Sequence, residues 1–158
     1  MITFWRIIMI IRDVIKEDEQ QFIAMCVDFY NTDAVLLPMD MSKIKNTFQE
    51  AINNSPYLRL VFLVDEGRTV GYSLFAFYWS NEAGGLVAQL EELYVLPEHR
   101  GKKYGHTFFD WCLDFYGDKV ARFRLEVCKS NTGAIRLYER YGFEVLPYIQ
   151  MIHDQMPS

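Results

Sequence analysis

The sequence of 158 residues lacks the features that mark several large classes of protein. It has 3 cysteines, and Cys26, Cys112 and Cys128 are widely spaced and form no C-x-x-C pair. This pattern disfavours both a disulfide framework and a zinc module, and the 3 histidines show no metal-ligand spacing. We therefore expect no metal site, and a reducing cytoplasm as the compartment.

Long apolar runs and an excess of basic residues are also missing. Residues 1–11 are apolar but contain Arg6, are fewer than the ~20 residues that span a bilayer, and lack a small-residue cleavage site. We expect neither a membrane anchor nor a signal peptide there. The 16 Lys and Arg residues are outnumbered by 21 Asp and Glu residues, a net charge of −5. This balance disfavours nucleic acid as a partner but leaves room for a local basic site.

The residues that are present predict one compact domain over residues 1–158. Of these residues 51% are hydrophobic, and a chain of this length buries roughly 68 to 70% of its unfolded surface when it folds. No repeat, low-complexity tract or linker divides the sequence. A single core without disulfides or metals is sufficient.

Hydrophobic periodicity predicts the order of strands and helices. Residues 5–12 predict a buried strand, and two helices follow, one over 19–30 with an Asp18–Gln21 capping box and one capped by Ser42 and ended by Ser55-Pro56. Residues 59–65, 69–79 and 86–95 predict an antiparallel meander. A helix over 104–116, a strand over 121–127, a helix over 131–141 and one or two closing strands within 143–152 complete the chain. This order predicts an α+β fold in which about four helices flank a central mixed, mostly antiparallel sheet.

A basic turn with two glycines joins a predicted strand to a predicted helix. Helix N-termini present unpaired N–H groups and a partial positive charge, and glycines let the backbone approach a phosphate, so this turn predicts an anion site. It is not a P-loop, because no G-x-x-x-x-G-K-S/T sequence is present. A solvated turn that only caps a helix is the alternative. The basic turn consists of Arg100, Gly101, Lys102, Lys103, Tyr104 and Gly105.

A second segment, residues 131–143, reads N-T-G-A-I-R-L-Y-E-R-Y-G-F. On a helix Asn131, Ala134 and Tyr138 share one face, which offers an amide, a small gap and a phenol to an elongated ligand. The alternative is an N-cap, a packing residue and an ordinary half-buried tyrosine.

The two segments together resemble the GNAT acetyltransferase superfamily, over nearly the whole chain. In that family a strand ending in L-x-V leads into Q/R-x-x-G-x-G/A, whose backbone amides hold the pyrophosphate of acetyl-coenzyme A, and N-x-x-A-x-x-L-Y-x-x-x-G-F follows. Lys103 departs from the pattern, because the family usually has glycine there, but it keeps its N–H group and adds an ammonium. The resemblance implies acetyl-coenzyme A binding by Leu93, Val95, Arg100, Gly101, Lys102, Lys103, Tyr104, Gly105, Asn131, Ala134 and Tyr138.

The resemblance also implies N-acetyl transfer by direct attack in a ternary complex, with Glu91 as the general base. An alkylamine of pKa ~10.4 costs roughly 4.6 kcal/mol to deprotonate at pH 7, so a positioned base is useful. Strand alternation places Glu91, Leu93 and Val95 on one face and Glu92 and Tyr94 on the other. Alternatively, both glutamates face solvent or pair with the basic turn.

The resemblance gives Tyr138 the role of protonating the coenzyme A thiolate as it leaves. Thiols have a pKa of ~8.5, so loss of this donor is expected to slow turnover without abolishing it. Cys128 is the candidate nucleophile of a rival acyl-enzyme mechanism, although packing as a small hydrophobe is the favoured interpretation.

The amine acceptor is expected to be small and cationic, such as a polyamine, because the protein is acidic and two glutamates lie near the expected cleft. The aromatic third strand could shape its pocket beside the loop at 31–40, or simply pack in the core. A peptide N-terminus or lysine side chain is the alternative within enzymes, and a non-catalytic acyl-coenzyme A sensor the alternative outside them. Because homodimers are frequent in the family, a second copy of the chain is an expected partner. We expect no membrane partner. The aromatic residues of that strand are Tyr72, Phe75, Phe77, Tyr78 and Trp79.

Overall fold

The computed structural model describes residues 9–32 and 39–155. Within these ranges the chain forms a five-stranded sheet in the order β1-β2-β3-β4-β5, together with four α-helices. The strands are β1 (Ile10–Asp13), β2 (Leu58–Asp65), β3 (Arg68–Ser80), β4 (Gly85–Val95) and β5 (Arg122–Leu125). The helices are α1 (Glu19–Tyr30), α2 (Met41–Ile52), α3 (Tyr104–Tyr116) and α4 (Thr132–Arg140).

The sheet is mixed. β1 to β4 pair antiparallel, whereas β5 lies parallel to β4. This architecture confirms the predicted α+β fold with a central, mostly antiparallel sheet and four flanking helices. Parallel neighbours need a crossover connection, and α3 supplies the one between β4 and β5.

The β4–β5 ladder is short, and this shapes the site. It runs from Val87 opposite Arg122 to Leu90 opposite Leu125, and in the part of the chain that the structure describes no pairing continues beyond it. Residues 91–95 of β4 and residues 126–131 therefore diverge. We call the gap between these two segments the sheet split.

Two hydrophobic clusters cover the two faces of the sheet. One packs α1 and α2 onto the sheet through residues such as Phe22, Phe48 and Tyr72. The other packs α3 and α4 onto the opposite face, with Phe108 and Phe109 at its centre. Elements from both faces consequently meet at the sheet split.

The predicted bounds of α1 and α3 are confirmed, whereas the predicted N-cap of α2 is wrong. Asp18 stands at the N-cap position of α1 as predicted, but its side chain makes no capping hydrogen bond. Its carboxylate instead accepts hydrogen bonds from the Arg12 guanidinium at 2.7 and 3.0 Å and from the Ile15 N–H at 2.8 Å. The cap of α2 is Asp40, whose carboxylate accepts from the Ser42 N–H at 2.7 Å, because Ser42 already lies inside the helix.

The strand predictions at the two ends of the chain need correction. The first strand is observed over Ile10–Asp13, and residues 5–8 of that prediction lie outside the described residues. The predicted closing strands within 143–152 are wrong, since described residues 143–155 contain no strand. Pro147 interrupts this segment and cannot donate to a ladder. The segment is instead tied down by the Tyr148 hydroxyl, which donates to Glu82 at 3.1 Å.

No helix within the described ranges is both long enough and apolar enough to cross a membrane.

Candidate active site

A β-bulge in β4 places Glu91 at the start of the sheet split. Leu74 of β3 pairs with Glu92 and Phe75 pairs with Leu90, so Glu91 is an extra residue with no partner on β3. A bulge breaks the two-residue alternation of a strand and re-aims its side chains. Beyond the bulge the predicted alternation holds, because Leu93 and Val95 pack in the cluster of α3 and α4 whereas Tyr94 packs in the cluster of α1 and α2. Glu91 and Glu92 nevertheless both line one pocket.

This pocket, which we call the site pocket, occupies the sheet split. It brings together Glu91, Leu93, Asn131 and Tyr138 of the predicted site, whereas Val95 and Ala134 do not line it. Glu126, which follows β5, adds a third carboxylate, and the lining contains no lysine, arginine or histidine. The site pocket is lined by Phe29, Leu90, Glu91, Glu92, Leu93, Leu125, Glu126, Val127, Cys128, Asn131 and Tyr138.

Glu91 is suited electrostatically to accept a proton. Part of the residue remains open to solvent, yet partial burial of the side chain raises the pKa of its carboxyl group. The negative charges of Glu126 and Glu92 raise that pKa further. A carboxylate with a raised pKa is a stronger base than an ordinary surface glutamate.

Glu92 is held firmly at the same pocket. It is only 7% exposed, and its two carboxylate oxygens accept hydrogen bonds from the Tyr30 hydroxyl at 2.5 Å and the Tyr72 hydroxyl at 2.7 Å. Burial raises the pKa of Glu92, and the two phenols act against that rise. Tyr30 and Phe29, which α1 brings to this part of the molecule, were not predicted as site residues. No local pattern in the sequence signals the contact of Tyr30 with Glu92, which lies 62 positions away.

Tyr138 lies on α4 at the opposite side of the split. Its ring packs against Phe109, with 5.5 Å between centroids, and against Phe143 at 6.0 Å. Burial raises the pKa of its hydroxyl, which therefore remains protonated and able to donate. No hydrogen bond of this hydroxyl occurs within the described ranges, so the donor is available to a ligand.

Asn131 is the N-cap of α4 and also a residue of the site pocket. Its side-chain oxygen accepts from the Ala134 N–H at 3.2 Å and so caps α4, and the residue also lines the site pocket. Ala134 is half-buried, as a packing residue would be.

The basic turn joins the end of β4 to α3, with backbone donors exposed. Gly101 has φ 77° and Lys103 has φ 64°, and the N–H groups of residues 101–103 reach no acceptor within the described residues. The first N–H groups of α3 follow directly. Arg100 anchors the turn, because its Nε donates to the Val95 carbonyl at 2.9 Å and its guanidinium lies 5.6 Å from the Tyr94 ring.

The left-handed backbone at Lys103 explains why the family usually has glycine there. A side chain in this region costs roughly 1–2 kcal/mol. We expect Lys103→Gly to raise the free energy of unfolding by up to about 1 kcal/mol, whereas Lys102→Gly, at negative φ, is expected to lower it. Loss of one exposed ammonium is expected to weaken coenzyme binding by less than about 1.5 kcal/mol.

Denaturant unfolding and calorimetry of the Lys103→Gly and Lys102→Gly variants measure these two quantities. A complete loss of coenzyme binding in Lys103→Gly would show that its ammonium contributes more than one exposed charge.

Tyr104 and Gly105 of the basic turn are explained by contacts with other parts of the fold and not by a ligand. The Tyr104 hydroxyl donates to Asp65, the last residue of β2, which leaves only the Tyr104 backbone at the basic turn. A Cβ atom at Gly105 would come within 2.8 Å of the Leu137 side chain on α4. The need for glycine at 105 therefore comes from the packing of α3 on α4 and not from crowding of the anion site.

Gly105→Val is expected to lower the free energy of unfolding by about 1–3 kcal/mol, because it overpacks the contact between α3 and α4. Thermal or denaturant unfolding measures the change. Gly133→Val is the matched control, since a Cβ at Gly133 meets nothing within 4 Å. If Leu137→Ala added to Gly105→Val recovers no stability, the contact with Leu137 is not the cause.

The aromatic residues of β3 divide between core and surface. Tyr72 and Phe75 are buried in opposite clusters, and Trp79 is 73% exposed. Phe29 of α1 is the aromatic residue of the site pocket instead. The loop at 31–40 was expected to lie beside the acceptor pocket, and its residues 33–38 lie outside the described residues. Cys128, the candidate nucleophile of the rival mechanism, lines the pocket as well.

The model of the acetyltransferase (GNAT) family matches residues 17–143. This match agrees with the order of the motifs, the bulge in β4, the sheet split and the basic turn. The chain belongs to the GNAT acetyltransferase family. Residues 17–143 contain every residue proposed for the site.

Similar proteins of known name include two N-acetyltransferases. Spermine/spermidine N(1)-acetyltransferase of Bacillus subtilis (strain 168) is 31% identical over 93 residues, which cover 56% of this chain and 60% of that protein. Thialysine N-epsilon-acetyltransferase of Sus scrofa is 36% identical over 74 residues, 46% of this chain and 43% of that protein. The chain thus spans less than two thirds of the length of the curated relatives it matches.

A solved structure shares the fold of this GNAT chain. The crystal structure of a possible acetyltransferase from Clostridium difficile 630 superposes with a TM-score of 0.78 and 18% identity, over 95% of this chain and 99% of that one. At this identity the likeness concerns the fold.

Proposed function

We propose that this protein transfers the acetyl group of acetyl-coenzyme A to a small cationic primary amine. The observation that carries the proposal is the site pocket, where Glu91 on the β4 bulge and Tyr138 on α4 line one cleft in the sheet split. One residue has the chemistry of a base and the other that of an acid. Membership of the GNAT family supports the reaction class and the coenzyme.

The basic turn fits a coenzyme rich in phosphate. The N–H groups of residues 101–103 and the N-terminus of α3 supply donors, and Arg100, Lys102 and Lys103 supply positive charge in an acidic protein. Among the described residues, only β3 pairs with residues 91–95 of β4, so their other edge is open at the split. The backbone of Leu93 and the N–H group of Val95, whose carbonyl already accepts from Arg100, offer hydrogen bonds to the coenzyme's amide-bearing arm. These residues, with Gly101, Tyr104, Gly105, Asn131 and Ala134, remain our proposed coenzyme site.

In the proposed reaction, one residue of this chain acts on the amine and another acts on the departing sulfur. Glu91 takes a proton from the ammonium group of the acceptor, directly or through water, and so produces the free amine. The amine nitrogen then forms a bond to the acetyl carbonyl carbon, and the carbon–sulfur bond of the thioester breaks. Tyr138 donates its proton to the departing sulfur, and the products are the acetylated amine and coenzyme A thiol.

The charge of the site pocket favours a cationic acceptor. Three carboxylates line it without any cationic side chain, which attracts an ammonium group and disfavours an anion. The spermine/spermidine acetyltransferase among the relatives supports a polyamine or a similar small amine.

We further propose a homodimer that works in the cytoplasm. The sequence has 3 widely spaced cysteines and no C-x-x-C pair, which is typical of proteins from a reducing compartment. Val145, Ile149 and Met151 are each more than 90% exposed after α4, and a second copy would cover such an apolar segment. Light scattering on the purified protein measures the number of copies.

The test of the proposed function is thiol release from acetyl-coenzyme A with a panel of acceptors. The panel contains spermidine, a neutral-tailed monoamine, a peptide with a free N-terminus and a peptide with an internal lysine. Turnover that is fastest with spermidine supports the proposal, and turnover confined to a peptide replaces the acceptor class. Tight acetyl-coenzyme A binding without release for any amine would identify a sensor and overturn the enzymatic proposal.

Calorimetry tests the coenzyme site separately. Binding of acetyl-coenzyme A is expected to weaken with salt and with loss of the 3′-phosphate or pyrophosphate, because the basic turn recognises charge. Equal affinity for pantetheine alone would contradict the assignment of the basic turn.

A further inference from the structure

A buried carboxylate with two phenol partners lies where the end of α1 meets β4. Glu92 accepts from Tyr30, the last residue of α1, and from Tyr72 of β3. The proposed reaction assigns Glu92 no step, although it lines the site pocket. Its burial and its two donors therefore require another explanation.

Among the residues that the structure describes, no positive charge lies against Glu92 to balance it. From α1 it faces Tyr30 and Cys26, from β3 Tyr72, and from its own strand Glu91. Across the site pocket are Glu126 and Tyr138. None of these groups is cationic, whereas buried carboxylates are usually paired with a cation.

Two hydroxyl donors, one on each oxygen, favour the ionised form of Glu92. Both oxygens accept a hydrogen bond and neither donates one, which is the arrangement of an ionised carboxylate. The site thus contains a fixed anion that lines the pocket and lacks a counter-charge among the described residues. An ammonium group of the acceptor is the cation that completes it.

We propose that Tyr30 is a positioning residue, which holds Glu92 as the fixed anion that binds the ammonium of the acceptor amine. This inference rests on the proposed function, and it adds a residue of α1 to the acceptor half of the site. Glu91 then removes the proton, while Glu92 contributes affinity.

We choose Tyr30 and not Tyr72 for the test, because Tyr30 can be replaced with less disturbance of the core. Tyr72 is fully buried at the centre of the cluster formed by α1 and α2, so its replacement disturbs the core. Tyr30 is only half-buried and lies at the end of its helix. Its ring packs edge-on against Phe29 at 5.2 Å, and Phe29 itself lines the site pocket. Tyr30→Phe removes the hydroxyl and keeps the ring.

The experiment compares Tyr30→Phe with Tyr141→Phe in the full chain. Tyr141 is the matched control, because its phenol also donates to a carboxylate, that of Asp110 at 2.8 Å, and neither residue lines the site pocket. We expect Tyr30→Phe to raise KM for spermidine about 10-fold or more, the scale of a hydrogen bond to a charged group, and to change kcat and the KM for acetyl-coenzyme A less than about 3-fold. Tyr141→Phe is expected to leave the KM for spermidine unchanged.

The pH dependence provides a readout that a purely structural role would not move. Loss of the Tyr30 hydrogen bond raises the pKa of Glu92, so the fall in affinity for spermidine on acidification begins at a higher pH in Tyr30→Phe. In protein labelled with carbon-13 at glutamate carboxyls, the Glu92 signal, assigned by Glu92→Gln, is expected to show the same upward displacement. In the Glu92→Gln background, Tyr30→Phe is expected to have no further effect on KM for spermidine.

An unchanged KM for spermidine in Tyr30→Phe, or an undisplaced Glu92 titration, would overturn the inference. Failure of the proposed function would look different, since wild-type protein would then release no thiol with any amine. In that case the binding role is still tested by adding spermidine to the labelled protein and following the Glu92 signal. A shift of this signal that is smaller in Tyr30→Phe than in the wild type supports the inference. A signal that does not shift in the wild type overturns it.

Discussion

Glu91→Gln is expected to lower kcat/KM by roughly 10²- to 10⁴-fold near neutral pH, with little change in coenzyme binding. Glutamine keeps the shape of the side chain at the β4 bulge but cannot accept the proton of the acceptor ammonium. The amine must then lose its proton in solution, which costs roughly 4.6 kcal/mol at pH 7 for an amine of pKa ~10.4.

The pH dependence follows from this cost. As the pH rises toward the pKa of the amine, the acceptor deprotonates without help and the deficit of Glu91→Gln is expected to shrink. For the wild type, burial raises the pKa of Glu91 and its acidic neighbours add to the rise, so its activity is expected to fall with acidification at a higher pH than for an ordinary glutamate. Steady-state kinetics across this pH range measure both effects.

The control for Glu91→Gln must lie outside the site pocket. Glu92→Gln is unsuitable, because Glu92 lines the same pocket, whereas Glu98→Gln makes the same change of charge at an exposed position before the basic turn. Tyr138→Phe is expected to retain coenzyme binding and the acid limb of the profile while turnover slows. A Glu91→Gln enzyme with nearly wild-type activity at every pH would show that another group removes the proton.

Gly71→Ala is expected to lower the free energy of unfolding by more than about 3 kcal/mol. A Cβ atom at Gly71 would lie 2.1 Å from the Tyr94 carbonyl oxygen and 3.1 Å from the Val95 Cα. Both atoms belong to the backbone of β4, so the methyl group cannot be accommodated by a side-chain rotation. Gly71 pairs across the ladder with Val95, the last residue of β4.

Denaturant unfolding measures this loss, and Gly133→Ala is the control in which the same methyl group meets open space. Because β4 carries Glu91 and leads to the basic turn, folded Gly71→Ala protein is also expected to bind acetyl-coenzyme A more weakly. A loss below about 1 kcal/mol would show that β3 and β4 can separate locally at little cost.

The parts of the fold that the sequence predicts are those with strong local periodicity. α1 and α3 have apolar residues at helical intervals, and their bounds were predicted to the residue. The cap of α2 was misassigned because Asp40 and Ser42 are both good N-cap residues, and only the geometry distinguishes them. The closing strands were predicted from β-forming composition, but a strand needs a neighbour to pair with, and composition does not supply one.

The site was predicted in its motifs and missed in its long-range contacts. The spacing within 131–143 and within the basic turn is local, so Tyr138 and Arg100 could be named in advance. The bulge at Glu91 arises from the pairing of β3 with β4, and alternation within a single strand gives no sign of it. The contact of Tyr30 with Glu92 likewise depends on how α1 packs across the sheet.

The sheet split also affects how the backbone exchanges hydrogen with solvent. Within residues 87–90, β4 has a hydrogen-bonded neighbour on both sides, whereas within residues 91–95 only β3 accompanies it among the described residues. Amides of the second group that face away from β3 are expected to exchange with deuterium from the native state, without global unfolding, while those of the first group exchange only when the sheet opens. A single strand of this protein therefore contains both a slowly and a rapidly exchanging half, and the boundary between them is the residue proposed to move the proton.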